Sequence, residues 1–298
     1  LDHIPPPTQK GVFAYGSTSG VVSLKNLLGS NGVIAADVTG VGTARQQIGA
    51  TSYGGDKAIF AYGYTGGYVN MSNLVNTSGV IAADVTGVGT ARYKVAAARF
   101  GGDKGIFAYG MKGGDALTNV SNLVSNSGVV ATDATGVGTA RVITAGVGYG
   151  GDKAIFAFGN SASAGDYSLK NLVSNTGVIG SDVTGVGTAR GALAAVSYGV
   201  GLAIYTYGID AAGTYYTVRN LVSNVGVVAA DASGAGTGRS FLAAAAYGGD
   251  KGAIAYGTTG TKVSTKNLVS NTGVVAADVS GVGTARSTLA GAGYSQSA

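Results

Sequence analysis

The sequence contains no cysteine, no tryptophan and no glutamate, so all 14 of its acidic residues are aspartates. The absence of cysteine excludes disulfides, a thiolate nucleophile and cysteine-ligated metals. The only histidine, His3, precedes the repeated part of the sequence, which argues against a Ser-His-Asp triad and excludes a cluster of histidine ligands. We therefore expect no enzyme, no metal site and no cofactor.

Other features are scarce as well. The three prolines all lie at positions 5–7, which predicts an extended lead-in over residues 1–9, followed by one domain over 10–298. No apolar run reaches the length of a membrane span, so we expect no membrane insertion. The net charge of +5 is spread along the chain and forms no basic patch, so we expect no nucleic-acid partner.

A phrase close to NLVSNTGVVAADVTGVGTAR is present six times, and its closing arginines are separated by 47, 49, 49, 49 and 47 residues. Each period contains four short runs of β-forming residues bounded by Gly, Asn, Asp and Ser. One set is 94–100, 104–109, 120–124 and 129–133. Four antiparallel strands repeated six times predict an all-β fold, a six-bladed β-propeller. A linear β-solenoid is the competing interpretation.

The two ends of the sequence complement each other. Residues Lys10–Tyr15 match the second strand of a repeat, and Ser287–Tyr294 match a first strand. We therefore expect the C-terminal strand to pair with the N-terminal blade and close the ring.

The stretch from Ala91-Arg92 to the closing Ile106–Gly110 resembles a kelch repeat, although Tyr-Gly stands where that family has Gly-Gly and the later tryptophan of the family is missing. The resemblance covers residues 10–298 and implies the propeller fold. The near-identical copies, rich in Ala, Gly, Thr, Ser and Asn, also resemble kelch-like repeats in structural and tail-fibre proteins of tailed bacteriophages.

Each repeat contains a glycine-rich connector that begins with an aspartate and ends with an arginine. We interpret the aspartates as acceptors of main-chain N–H groups and the arginines as ties between neighbouring blades. A ring of six ligand or metal sites is the alternative. The connector residues are Asp37, Arg45, Asp84, Arg92, Asp133, Arg141, Asp182, Arg190, Asp231, Arg239, Asp278 and Arg286.

The repeats differ in length only between the closing Gly of the second strand and the next Asn, where the step is 10 or 12 positions. These variable windows should lie at the connector face and provide any binding surface. Neutral drift after duplication is the alternative explanation. The candidate binding residues are Tyr64, Tyr68, Lys112, Asp115, Asp166, Tyr167, Asp210, Tyr215, Tyr216 and Lys262. Outside the windows, Arg99 is the only charge at its position on a first strand and is a candidate for the mouth of the channel.

The phage resemblance implies a non-enzymatic structural or adhesion module of a virus particle, such as a phage fibre or a surface appendage. Its expected partners are other virion proteins or a host-surface glycan, its expected location is the virion surface or the extracellular space, and a homo-oligomer within a symmetric assembly is possible. The alternative is a glycan-binding, lectin-like propeller of a bacterial surface or secreted protein, because tyrosine combines flat contact area with a hydroxyl group.

Overall fold

A computed structural model describes residues 7–161 and 165–298 as an all-β structure of small antiparallel sheets. Six larger three-stranded sheets, one for each repeat, make up most of the described structure, and we number them in the order of their second strands. The first strand of each sheet is short and rich in Ala and Gly. From sheet 1 to sheet 6 the first strands are β23 (Ala290–Tyr294), β3 (Gly49–Tyr53), β7 (Ala96–Phe100), β12 (Ala145–Tyr149), β17 (Ala194–Tyr198) and β20 (Ala243–Tyr247).

The second strand is the central strand of every sheet and is almost entirely buried. The second strands are β1 (Lys10–Ala14), β4 (Lys57–Tyr64), β8 (Lys104–Ala108), β13 (Lys153–Ala157), β18 (Leu202–Thr206) and β21 (Lys251–Ala255). The third strands are β2 (Lys25–Leu28), β5 (Tyr68–Val75), β11 (Ser121–Val124), β16 (Lys170–Val173), β19 (Arg219–Val222) and β22 (Lys266–Val269).

The remaining elements are short. Strands β6 (Arg92–Tyr93), β9 (Met111–Lys112) and β10 (Ala116–Leu117) form one small sheet, and β14 (Asn160–Ser161) pairs with β15 (Gly165–Asp166). A three-residue 3₁₀ turn covers Gly113–Asp115. Within the described residues, no helix is long and apolar enough to cross a membrane.

The fourth predicted strand is not a continuous strand. In sheet 3 the segment after the turn meets the third strand only at two isolated bridges, Val124 with Val130 and Ser121 with Ala134. Between these bridges the Asn122 side chain donates to the carbonyl of Ala131 and to the segment's aspartate, and so takes the place of a ladder bond. The prediction of four strands per repeat is therefore wrong for this segment, because a side chain interrupts its main-chain pairing.

Hydrophobic clusters join each sheet to the next in a closed cycle. Six clusters lie between sheets 1 and 2, 2 and 3, 3 and 4, 4 and 5, 5 and 6, and 6 and 1. The first strands of neighbouring sheets are in contact in the same cyclic order. Edge-on aromatic pairs such as Tyr15–Phe60 and Tyr62–Phe107 strengthen these contacts, with ring centroids 5.4 and 5.3 Å apart. Because every sheet is covered by two neighbours, both faces of its central strand can be apolar.

The predicted pairing of the two chain ends is confirmed. Strand β23 pairs antiparallel with β1, from Ala290 opposite Ala14 to Tyr294 opposite Lys10. Gln9, within the predicted lead-in, donates its N–H to the carbonyl of Ser295 and accepts from Gly248, so the two chain ends together take the place of the turn that joins the first two strands in the other sheets.

The pair at the end of each second strand, Tyr-Gly in five sheets and Phe158-Gly159 in sheet 4, has positive φ angles at both residues. Tyr62 has φ 64° and Gly63 has φ 118°. A Cβ atom at Gly63 would lie 2.5 Å from the Cγ2 of Ile48 and 2.9 Å from the carbonyl oxygen of Gln46, so only glycine fits. The tyrosine tolerates the same region because its ring is held in the contact between sheets.

Candidate functional site

The connector arginines are the largest fully buried side chains of the described structure. Arg45 donates from Nε to the carbonyl of Tyr62 at 2.9 Å and from Nη2 to Oδ1 of Asn73 at 2.6 Å, both in sheet 2. Its third branch, Nη1, donates to the carbonyl of Thr43 at 3.1 Å. The guanidinium carbon lies 4.3 Å from the ring centroid of Tyr15, which follows the second strand of sheet 1. One arginine therefore contacts two sheets and the connector between them.

The connector aspartate completes this arrangement. Asp84 accepts from Nδ2 of Asn73 at 2.9 Å and from Oγ1 of Thr43 at 2.6 Å. The main-chain N–H of Thr43 donates to the same carboxylate at 3.0 Å, and Nη1 of Arg45 lies 3.8 Å away. The aspartate of one repeat therefore fixes the connector that precedes its own sheet, and the group forms a closed polar network.

The same network is present six times, built on Arg45, Arg92, Arg141, Arg190, Arg239 and Arg286. Their Nη2 atoms lie 2.6–2.8 Å from the asparagine Oδ1 atoms. Their carboxylate partners are Asp84, Asp133, Asp182, Asp231, Asp278 and Asp37, at 3.7–4.0 Å. The guanidinium carbons lie 4.1–4.5 Å from the centroid of a tyrosine or phenylalanine ring. We call these groups the connector networks.

The electrostatics of these networks follow from burial and hydrogen bonding. Burial alone would raise the pKa of Asp84, but hydrogen bonds from Thr43 and Asn73 and the charge of Arg45 outweigh it and lower that pKa. The other five connector aspartates have lowered pKa values for the same reasons. Burial lowers the pKa of Arg190 to about 10. Within the described residues, no three or more His, Cys, Asp or Glu side chains come together as metal ligands would.

The variable windows lie at the connector end of the sheets, because the start of each first strand pairs with the end of the second, as Gly49 does with Ala61. We number each window after the sheet whose second and third strands it joins. Windows 2 and 3 are in contact, because the Tyr68 hydroxyl donates to Oδ1 of the exposed Asp115 at 2.5 Å. This hydrogen bond raises the pKa of Tyr68. The ring of Tyr64 lies 5.9 Å from that of Tyr68. Lys112 pairs within window 3, opposite Ala116.

The other candidate residues fall into two further groups. In windows 4 and 5, Asp166 accepts from the Asn160 side chain at 2.9 Å and from the main-chain N–H of Ala211 at 2.5 Å. Asp210 accepts from the main-chain N–H of Thr214 and from the hydroxyl of Tyr216, both at 2.8 Å.

The last contacts lie within window 4, within window 5, and between windows 6 and 1. The Tyr167 hydroxyl donates to Oγ of Ser161 at 3.2 Å, and Tyr215 bridges to Ile209. Lys262, in window 6, donates to the carbonyl of Thr18 in window 1. The ten predicted residues therefore do not form one site: they divide among the window pairs 2–3, 4–5 and 6–1.

Two residues of the window 2–3 surface were missed because both belong to the connector. The ring of Tyr93 lies 5.4 Å from that of Tyr64 and 5.3 Å from that of Tyr68, and Nζ of Lys94 lies 5.1 Å from its centroid. The equivalents of Tyr93 are Gln46, Val142, Gly191, Ser240 and Ser287, so a comparison of repeats at this position would have found it. We call Tyr64, Tyr68, Tyr93 and Asp115 the tyrosine cluster.

The six first strands enclose a space that we call the central cavity. At the connector end it has a volume of about 150 Å³ and is lined by residues from all six sheets, including Lys94 and Phe241. Burial lowers the pKa of Lys94. At the opposite end, beside the Gly-Gly-Asp-Lys turns, a second cavity of about 160 Å³ contains Arg99. The prediction that Arg99 lies at a channel mouth fits this position.

Two comparisons of the sequence with known proteins found no relative. No protein-family model matches the sequence, and a search of curated proteins gives no significant match.

Proposed function

We propose that the six sheets are the blades of a kelch-like six-bladed β-propeller, and that it serves as a non-enzymatic structural or adhesion module of a virus particle. The cyclic order of the hydrophobic clusters and the pairing of β23 with β1 support the propeller. The texture of the repeats supports the viral assignment. The variable-window face is the surface proposed to contact virion partners or a host surface.

One observation carries the binding assignment: sequence and length vary in the windows, whereas the connector networks are built six times in the same way. The networks bury their arginines and hold the more exposed aspartates by several hydrogen bonds, while Asp115 and Lys262 in the windows are exposed. A rigid scaffold with differing exposed loops suits the recognition of a partner.

The experiment co-expresses the chain with the products of the genes beside its own and measures complex formation by size-exclusion chromatography with light scattering. Replacing Tyr68 and Tyr216 by Ser should abolish the complex if the window face forms the contact. The control Asp103→Asn changes a turn at the opposite end and should leave the complex intact. Loss of the complex in the control alone would contradict the assignment of the face.

A glycan-binding lectin is the second candidate, and the tyrosine cluster favours it. Its three rings lie within 5.3–5.9 Å of one another, and Asp115 provides an exposed carboxylate beside them. Aromatic rings with an adjacent acceptor suit the apolar faces and hydroxyls of a sugar. On a glycan array, this candidate requires saturable binding that Tyr93→Ser removes. Ser is the residue at that position in the connectors that lead to sheets 6 and 1, so the fold should tolerate it.

A further inference from the structure

Among the described residues, the lining of the central cavity at its turn end includes one charged side chain. The first strands alternate, with every second residue facing the cavity, and in sheet 3 this pattern places Arg99 there. The cavity-facing residues at the same level in the other five sheets are Ser52, Gly148, Ser197, Ala246 and Gly293. The cavity-facing residues two positions earlier in each first strand are all Ala or Gly. One guanidinium therefore stands among small, neutral neighbours.

This guanidinium has no partner within residues 7–161 and 165–298: no carboxylate lies within ion-pair distance of Arg99, and its side chain donates no hydrogen bond. Burial lowers the pKa of Arg99, and the charge of Asp103 only partly opposes that effect. The side chain of Arg99 is half-buried, so it loses part of its hydration without gaining a protein acceptor, whereas the connector arginines of this same chain have a full set of acceptors.

The surroundings of Arg99 suit a small polar ligand. The cavity of about 160 Å³ is also lined by Thr8, Ser52 and Ser197. The Ser52 hydroxyl donates to the carbonyl of Gly293 at 2.7 Å, so its oxygen lone pairs, not its proton, face any ligand. Ser197 likewise donates to the carbonyl of Gly148 at 2.9 Å, so the guanidinium and the hydroxyl of Thr8 are the side-chain donors that face a ligand.

Three of the four acidic turns at this end carry their own counter-charges, whereas Asp103, in the turn of sheet 3, has no lysine within ion-pair distance among the described residues and accepts from the side chain of Asn126. Asp56 pairs with Lys57 at 3.0 Å, and Asp250 pairs with Lys251 at 3.0 Å. Asp152 likewise pairs with the lysine that follows it, at 3.3 Å. These three pairs leave Arg99 without a counter-charge inside the cavity, and Asp103, whose charge acts on Arg99, lies beyond ion-pair distance of it.

We propose that Arg99 binds a small oxyanion, a carboxylate, sulfate or phosphate group, in the turn-end mouth of the central cavity. A guanidinium offers two parallel N–H donors to such a group, and charge-assisted bonds of this kind are strong where water is partly excluded. The cavity of about 160 Å³ accommodates a group of this size, and Arg99 also lines an adjoining wider cavity of about 610 Å³ through which such a group can enter. The site lies at the opposite end of the sheets from the variable windows, so it is independent of the proposed window-face contact.

The test is isothermal titration calorimetry with sodium phosphate, sodium sulfate and sodium acetate at matched ionic strength. The unmodified chain should bind at least one of these anions saturably at one site, and Arg99→Ser should weaken that binding about tenfold or more. Ser52 and Ser197 already occupy the equivalent positions, so this variant should fold. The three titrations identify which oxyanion chemistry the mouth prefers.

The matched control is Lys104→Ser, which removes an exposed positive charge at the same end of sheet 3. Its anion affinity should equal that of the unmodified chain. The proposal is overturned if none of the three anions binds saturably, or if Lys104→Ser weakens binding as much as Arg99→Ser does. A second readout is thermal denaturation: the bound anion should raise the melting temperature of the unmodified chain and not that of Arg99→Ser.

Discussion

The connector networks and the variable windows lie at the same end of the sheets, yet they hold their polar groups in different ways. In a network, one arginine has three acceptors and an aromatic ring, and none of its surface is exposed. In the windows, Tyr68 and Asp115 satisfy each other at the surface, where water can replace either partner. A buried polar group that changes alone leaves its partners unsatisfied, so the networks resist variation and the windows tolerate it.

The largest loss of stability should follow from removing the strand that closes the cycle of sheets. Deleting residues 287–298 removes β23, and with it the partner of β1 and apolar contacts to sheets 2 and 6. We expect loss of cooperative thermal unfolding, measured by circular dichroism. The control deletes Ala211 and Ala212 and so shortens window 5 to the 10-position step found elsewhere; its melting temperature should stay within a few degrees. Cooperative melting of the deletion variant at an unchanged temperature would argue against a closed cycle.

The next largest effect should come from a single network arginine. Arg92→Met removes the donors to Asn122 and to the carbonyl of Tyr109 and leaves both acceptors buried. We expect the free energy of unfolding to fall by about 3–5 kcal/mol, as for one partner removed from a buried charged network. Urea denaturation measures it. Lys112→Met, in window 3, should change the same quantity by no more than about 0.5 kcal/mol. Equal losses in the two variants would remove the distinction between network and window.

The positions of the strands and of the connectors could be predicted from the sequence. The constant spacing from asparagine to arginine located the strands and the connectors, because a repeat that builds the same contacts six times must keep its length. The role of Asn73 was not predicted: as a repeat marker it carried no sign that its amide joins Arg45 to Asp84. The contact of Tyr68 with Asp115 could not be predicted either, because it depends on how two loops of different length bend towards each other.

Acid should weaken the six networks more than the windows, where hydrogen bonds from Thr214 and Tyr216 also lower the pKa of Asp210. The connector aspartates have folded-state pKa values below their ordinary value of about 3.9, so they stabilise the folded state fully above that pH. That contribution is lost as the pH falls below about 4 towards the folded values. The urea midpoint should therefore change little between pH 7 and pH 5 and drop by pH 3. Asp133→Asn should reduce this drop, whereas Asp210→Asn in window 5 should leave most of it. A midpoint that does not change between pH 5 and pH 3 would contradict the role of the carboxylates.

The smallest expected change in stability comes from a buried polar group that has no hydrogen-bond partner. Thr206, at the end of the second strand of sheet 5, is fully buried, and its hydroxyl has no hydrogen-bond partner. The equivalent residues of the other sheets are alanines: Ala14, Ala61, Ala108, Ala157 and Ala255. Thr206→Ala removes the unsatisfied oxygen and should raise the free energy of unfolding by about 1 kcal/mol, measured by urea denaturation.

The matched control for this variant is Ser197→Ala in the same sheet, whose hydroxyl donates to the carbonyl of Gly148 at 2.9 Å. Removing a satisfied hydroxyl should lower stability slightly or leave it unchanged, so the two variants should differ in sign. If Thr206→Ala is the less stable of the two, lost packing of the threonine methyl outweighs the desolvation of its hydroxyl. The packing of side chains, more than hydrogen bonding, would then explain why the six repeats keep the same residues in their sheets.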